Sequence, residues 1–219
     1  MKSVLQVFAK APVPGQCKTR LIPALGAAGA ARLHERLVLD RLAMARAWQQ
    51  SAQQAEPGCR VELWCAPDLE HAFLAACLKQ FKLAPMLQTG PDLGVRMWLA
   101  LCGALARGER PVLIGTDCPW LGSDDITAAF AALDQADAVY APAHDGGYVL
   151  TGLARAVPEL FANIVWGTAG VMAATRKAAA RTHTRVVELR TLHDLDTPAD
   201  LARVKTDRRF TALLDGLTL

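Results

Sequence analysis

The chain reads as an α/β protein built on a mostly parallel sheet. Three observations predict this. Short β-branched runs alternate along the chain with longer segments whose apolar residues recur at helical spacing. One run, Val112-Leu113-Ile114, is apolar throughout, as a strand covered on both faces must be. That run ends in Gly115-Thr116-Asp117, and Pro119 stops any regular element from continuing. A carboxylate is thereby delivered at the carboxyl end of a central strand, where open α/β sheets bind ligands. By itself Asp117 has two readings of equal weight. It can hold a divalent cation, which in turn holds phosphates, or it can cap the turn before the next helix.

Bulk properties narrow the class. The 219 residues are 52% hydrophobic and 21% charged, enough to bury a substantial core, and no linker, repeat or low-complexity segment divides them. One domain over 1–219 is expected. A net charge of +3 is too small to argue for nucleic acid or an anionic membrane as partner. No apolar run approaches the ~20 residues of a membrane helix. Met1-Lys2-Ser3-Val4 enters a strand at once without a cleavable signal pattern, and the six cysteines form no C-x-x-C pair. Reduced, mostly buried thiols in a cytoplasmic protein are the expectation.

In order, Val4–Ala9 is the first strand. Behind it Lys10-Ala11-Pro12-Val13-Pro14-Gly15-Gln16-Cys17-Lys18-Thr19-Arg20 forms a loop shaped by prolines and a glycine. Lys10, Lys18 and Arg20 place positive charge right after a strand, where α/β proteins collect phosphates. Neither the Walker spacing nor G-x-G-x-x-G is present. From Gly26 to about Gln50, Leu33, Leu37, Val38, Leu42, Ala45 and Trp48 form a helical stripe, with His34 expected at its surface or boundary. A strand at 61–65, a helix over about 68–80 and a short strand over 83–88 follow. Asp92 is placed to cap a helix from Val95. Arg96 in its first turn opposes the helix dipole and therefore needs a partner, with Asp92, Asp117 or a ligand phosphate as candidates.

After the 112–114 strand, Ser123 or Asp124 is expected to cap a helix. Strands at 137–142 and 149–153 enclose Ala143-His144-Asp145-Gly146-Gly147-Tyr148, a turn whose glycines let the backbone approach a ligand closely, or a plain hairpin turn. Trp166, like Trp120, is an indole that can stack on a ligand or pack. An Ala-rich helix to about Arg181 and a strand at 184–189 follow. Thr197 then caps a helix with Pro198 in its first turn, and Asp194 and Asp196 stand before it as a D-x-D pair suited to oxygen ligation or to turn bonding.

Six ordered stretches resemble an uncharacterised bacterial family: F-A-K-A-P-V-P-G-Q-C-K-T-R-L (8–21), D-L-G-V-R-M (92–97), G-T-D-C-P (115–119), D-G-G-Y-V-L-T-G-L (145–153), W-G-T (166–168) and D-L-D-T-P-A-D-L (194–201). That family is glycosyltransferase-like and related to the phospholactate guanylyltransferases of deazaflavin-cofactor biosynthesis. The resemblance implies the nucleotide-diphosphosugar transferase fold (GT-A-like), a three-layer sandwich around a mixed, mainly parallel seven-stranded sheet. It implies nucleotide binding by Lys10, Pro14, Gly15, Lys18, Arg20 and Arg96. Magnesium or manganese would sit on Asp117 and Asp196, and the acceptor near Gly146, Gly147, Tyr148 and Trp166. Lys18, Arg20 and Asp145 are the implied catalytic residues. The Pro-rich first loop, where sugar-nucleotide pyrophosphorylases carry L-x-G-G-x-G-x-R-M, favours the guanylyltransferase-like branch. The expected reaction is transfer of a nucleoside monophosphate from a triphosphate, GTP favoured, to a phosphorylated small molecule with release of pyrophosphate. A glycosyltransferase using a nucleotide-sugar, with Asp145 or His144 as base, is the alternative. A non-catalytic nucleotide-binding protein is the third reading.

Overall fold

The computed structural model describes residues 1–217. Seven strands form one sheet: β1 (Lys2–Lys10), β2 (Arg60–Ala66), β3 (Pro85–Leu87), β4 (Glu109–Ile114), β5 (Ala138–Pro142), β6 (Tyr148–Leu153) and β7 (Val186–Glu188). Their order is β3-β2-β1-β4-β6-β5-β7. All neighbours run parallel except β6, which is antiparallel to both β4 and β5. The reversal follows from chain length. The five residues between β5 and β6 permit only a hairpin, whereas a parallel connection needs a helix-sized crossover.

Strand alternation sorts the core into two faces. Leu5, Val7 and Ala9 of β1 share one face with Val112 and Ile114 of β4, while Phe8 and Leu113 point to the other. The first face is covered by α1 (Ile22–Ala52), α2 (Ala72–Phe81) and α4 (Ser123–Ala132), the second by α3 (Leu93–Ala106) and α5 (Val171–Arg181). The result is the expected three-layer sandwich. A third cluster gathers Leu21, Leu33 and Leu37 against Leu195, α6 (Pro198–Thr206) and Leu213 of α7 (Thr211–Leu214). It anchors the segment carrying Asp194 and Asp196. No helix among the described residues is long and apolar enough to cross a membrane.

Several boundaries differ from expectation for local reasons. Helix α1 starts at Ile22 with Pro23 in its first turn, and Gly26, at φ 69°, breaks it. Helix α2 starts at Ala72, because the Asp68 carboxylate captures the N–H groups of Glu70 (2.9 Å) and His71 (3.1 Å) in a turn. Neither Ser123 nor Asp124 caps α4. Gly122 is its N-cap, and the Asp125 carboxylate reaches back to accept the Gly122 N–H at 2.8 Å. The Asp92 and Thr197 caps are formed as expected.

Candidate active site

The carboxyl ends of β1 and β4 lie side by side, with Val7 in register with Ile114. The loop after β1 is therefore laid directly beside the turn after β4. Its rigid start is a turn in which the Gln16 N–H donates to the Val13 carbonyl at 3.0 Å while Gly15 takes φ 80°. Those are the bond and the positive third-residue angle of a type II turn, with Pro14 at the position that proline favours. Lys18 then adopts a left-handed backbone (φ 47°, ψ 41°). For a residue with a Cβ this is an unfavourable conformation, found where surroundings over-determine it.

The surroundings are three oxygens. Lys18 Nζ donates to Asp196 Oδ1 at 2.7 Å and to the Leu195 carbonyl at 2.9 Å, and lies 2.5 Å from Asp117 Oδ1. Two hydrogen bonds and a further ion pair thus hold the ammonium, and the side chain is 3% exposed. The Leu195 N–H donates to the Asp117 carbonyl at 2.8 Å, tying the two acidic segments by their backbones as well. Burial pulls the Lys18 pKa down, but the two carboxylates outweigh it and the net direction is up. Burial pushes the Asp117 pKa up, yet the Lys18 ammonium brings it below the ordinary carboxylate value. Both groups are charged at neutral pH.

His34, expected at the surface or boundary of its helix, is instead buried in α1 at the back of this cluster. Its Nε2 pairs with the Lys10 carbonyl at 2.9 Å, which makes Nε2–H the donor. Burial holds the imidazole's pKa below its usual value, so Nδ1 presents a lone pair 3.9 Å from Asp117 Oδ1. The signal was in the sequence. His34 stands four residues before Val38, on the same stripe as Leu42 and Ala45. Asp194 was paired with Asp196 as an equal, but the structure separates them. Burial, then the carboxylates of Asp145, Asp117 and Asp196, push Asp194 up to about 8.

Other predicted residues fall around this centre. Arg20 lines one hollow with Lys10, Lys18, Asp117 and Asp196 and a second with Tyr148 and Trp166, and forms no ion pair among the described residues. Lys10 Nζ donates to the Gln16 carbonyl of its own loop at 2.9 Å. Pro14 and Gly15 shape the turn but line none of the hollows described here. Arg96 finds neither Asp92 nor Asp117; its Nε donates to the Gly90 carbonyl at 2.9 Å, along a cleft of about 480 Å³ that also holds Lys10, His34 and Asp117.

The Asp145-Gly146-Gly147 turn corrects one expectation. The close approach beside Gly146 is made by the protein itself. At φ 90°, a Cβ there would lie 2.1 Å from the Ala169 carbonyl oxygen, and the Gly146 carbonyl accepts the Met172 N–H at 2.8 Å. Gly146 therefore docks the start of α5, and the space beside it is closed to an acceptor. Asp145 Oδ1 accepts the Gly147 N–H at 2.9 Å, an Asx turn. Gly147, Tyr148 and Trp166 do line a hollow, of about 240 Å³, together with Asp145. Trp120 packs edge-on against Phe210 and His193, away from that hollow.

Expectation also placed a divalent cation between Asp117 and Asp196. That position is taken by the Lys18 ammonium, and among the described residues no three His, Cys, Asp or Glu side chains converge as a metal cage. The donor chemistry still suits a hard cation at the rim. Each carboxylate gives one oxygen to Lys18, and the Asp117 and Asp196 side chains remain 46% and 37% exposed. One or two carboxylates completed by water and phosphate oxygens are what magnesium ordinarily takes.

Comparison with known proteins agrees with this architecture. A protein from Desulfovibrio desulfuricans G20, carried under the provisional name nucleotide-diphospho-sugar transferase, is 31% identical with a TM-score of 0.82, covering 98% of this chain and 94% of that one. The 4-diphosphocytidyl-2C-methyl-D-erythritol synthase of Anaerococcus prevotii DSM 20548 is 11% identical with a TM-score of 0.54, over 92% and 94% of the two chains. A CMP-2-keto-3-deoxy-manno-octonic acid synthetase in complex with CTP is 10% identical with a TM-score of 0.53, over 94% and 98%. The last two likenesses establish the fold alone, that of the nucleotide-diphospho-sugar transferases. No protein of curated function matches the chain in sequence. The profile of one family matches residues 47–168, more than half of the chain, and the protein belongs to that family, described as "Uncharacterized protein conserved in bacteria (DUF2064)".

Proposed function

We propose that the protein is a nucleotidyltransferase, moving a nucleoside monophosphate from a nucleoside triphosphate to a phosphorylated small molecule. The observation that carries the reading is the charge arrangement at the strand ends. Lys18 is locked between Asp117 and Asp196, and Lys10 and Arg20 line the same hollow. Such a site binds polyphosphate and stabilises charge that develops on it. The structural neighbours include a cytidylyltransferase and a CMP-2-keto-3-deoxy-manno-octonic acid synthetase complexed with CTP. Guanosine is the base favoured by the sequence resemblance.

In the proposed step an acceptor phosphate oxygen attacks the α-phosphorus. The bond from that phosphorus to the bridging oxygen breaks, and pyrophosphate leaves with the electron pair. Arg20 and Lys10 hold the departing negative charge, and Lys18 keeps the two acidic segments at fixed spacing. Asp117 and Asp196 would hold magnesium or manganese through their outward oxygens. When bound, the cation supplies Lewis-acid polarisation of the phosphate oxygens. Asp145, Gly147, Tyr148 and the Trp166 indole form the acceptor wall.

A second reading is favoured by one observation, the sugar-transferase name of the 31% identical relative. In it a glycosyl group leaves a nucleotide-sugar and a nucleoside diphosphate is released. A panel of triphosphates with magnesium and phosphorylated acceptors decides the matter. Pyrophosphate release abolished by Asp117→Ala supports the first reading. Nucleoside diphosphate release from sugar donors, with none from triphosphates, overturns it.

A further inference from the structure

The hollow beside Arg20 narrows the kind of acceptor that fits. Its volume is about 240 Å³, and Leu93, Met97, Tyr148, Trp166 and Val171 give it a carbon-rich wall. The polar end of Tyr148 is withheld from it. Tyr148 Oη is buried, with its ring 4.9 Å from that of Tyr140. The Trp166 indole lies flat against the start of α3, so close that a Cβ on Gly94 would meet Nε1 at 2.1 Å. The Thr168 hydroxyl is already engaged, donating to the Val165 carbonyl at 2.8 Å and accepting the Gly170 N–H at 3.4 Å. One Asp145 oxygen is held by the Gly147 N–H.

What remains for a ligand is uneven. Asp145 and Asp196 line one part and repel an anion there, whereas Arg20 is the one cation lining the hollow among the described residues. Leu93, a large apolar side chain, is 47% exposed at the lining. A sugar ring lying on the Leu93, Met97 and Val171 part of the wall would bring hydroxyl groups to side chains with no polar partner to offer, and unpaired polar groups cost binding free energy. An apolar body would leave no polar group unpaired against that part of the wall.

We infer that the acceptor is a small phosphomonoester with an apolar body, its phosphate read by Arg20 and its body by Leu93, Met97 and Trp166. The inference rests on reading the cleft as a transferase site, and it adds the acceptor's chemical class. Calorimetric titration of the full chain with phenyl phosphate, glucose 1-phosphate and inorganic phosphate tests it. Phenyl phosphate should bind about tenfold more tightly than either of the others, from the apolar area it buries. Arg20→Gln should weaken all three. Leu93→Ser, at an exposed helix start, should reduce only the phenyl phosphate preference, with an unchanged thermal melt showing the fold retained. Glucose 1-phosphate binding as tightly as phenyl phosphate, or a preference indifferent to Leu93→Ser, overturns the inference. Triphosphate binding and pyrophosphate release are read separately. Their absence with the phosphate preference intact overturns the nucleotidyl-transfer reading and leaves the acceptor class standing.

Discussion

Replacing Lys18 by methionine probes the centre of the cleft with little change in side-chain volume. Losing one partner of a fully buried ion pair costs about 3–5 kcal/mol. Here Lys18 is 3% exposed, but its partners Asp117 and Asp196 are 46% and 37% exposed and can be rehydrated from the cleft. Screening by that water discounts the loss to about 2 kcal/mol. For a chain of this size that corresponds to a fall in Tm of about 4–8 °C. The pH dependence carries a definite sign. In the wild type the lowered Asp117 pKa contributes stability present above the unfolded value of about 4 and lost on acidification. The raised Lys18 pKa contributes stability that is complete below about 10 and lost above it. In Lys18→Met the Asp117 carboxylate keeps its buried setting and loses its cation, so it takes up a proton more readily and the variant regains stability as pH falls from about 7 to about 5. Differential scanning calorimetry at several pH values measures both effects. A Tm within about 1 °C of wild type at pH 7, or a difference that does not narrow on acidification, refutes the reasoning.

Four other expectations follow from the same structure. Gly146→Ala forces a Cβ to within 2.1 Å of a backbone oxygen at φ 90°, and should cost roughly 2–4 kcal/mol by urea unfolding. Gly170→Ala, with its nearest neighbour at 3.6 Å, should change stability by less than about 0.5 kcal/mol. For acid stability, burial pushes the Asp125 carboxyl up, but the Arg190 guanidinium and the Gly122 N–H hold it below its ordinary value. Its contribution is therefore present above about pH 4 and lost as pH falls further, so Asp125→Asn should lose less Tm than wild type over that range. Burial pushes the Cys118 thiol up to about 12 and those of Cys65 and Cys77 up to about 11, while Cys102 is partly exposed. Iodoacetamide at about pH 8 should modify Cys102 first, as read by peptide mass mapping, and comparable labelling of Cys118 would contradict its burial.

Local pattern determined a good deal of this protein. The Val112–Ile114 run, the β-branched segments and the amphipathic stripes are decided by burial and backbone geometry within one element. They placed Asp117 at a strand end, Asp92 and Thr197 at helix starts, and the cations of the 10–20 loop behind β1. What the one-dimensional record could not supply was distance. Lys18 and Asp196 lie 178 positions apart in sequence, and only the pairing of β1 with β4 and the docking of Leu195 into the third core cluster bring them within 2.7 Å. The same docking turned a site expected to hold a cation between two aspartates into one where lysine already stands between them. His34 and Gly146 were decided in the same way. A histidine on an apolar stripe becomes a cleft residue only when the stripe packs behind the strand ends. A turn glycine becomes a docking point for α5 only when Ala169 arrives against it. Asp117 thus keeps the place that its strand assigned to it, and its chemistry comes from residues that the fold delivers.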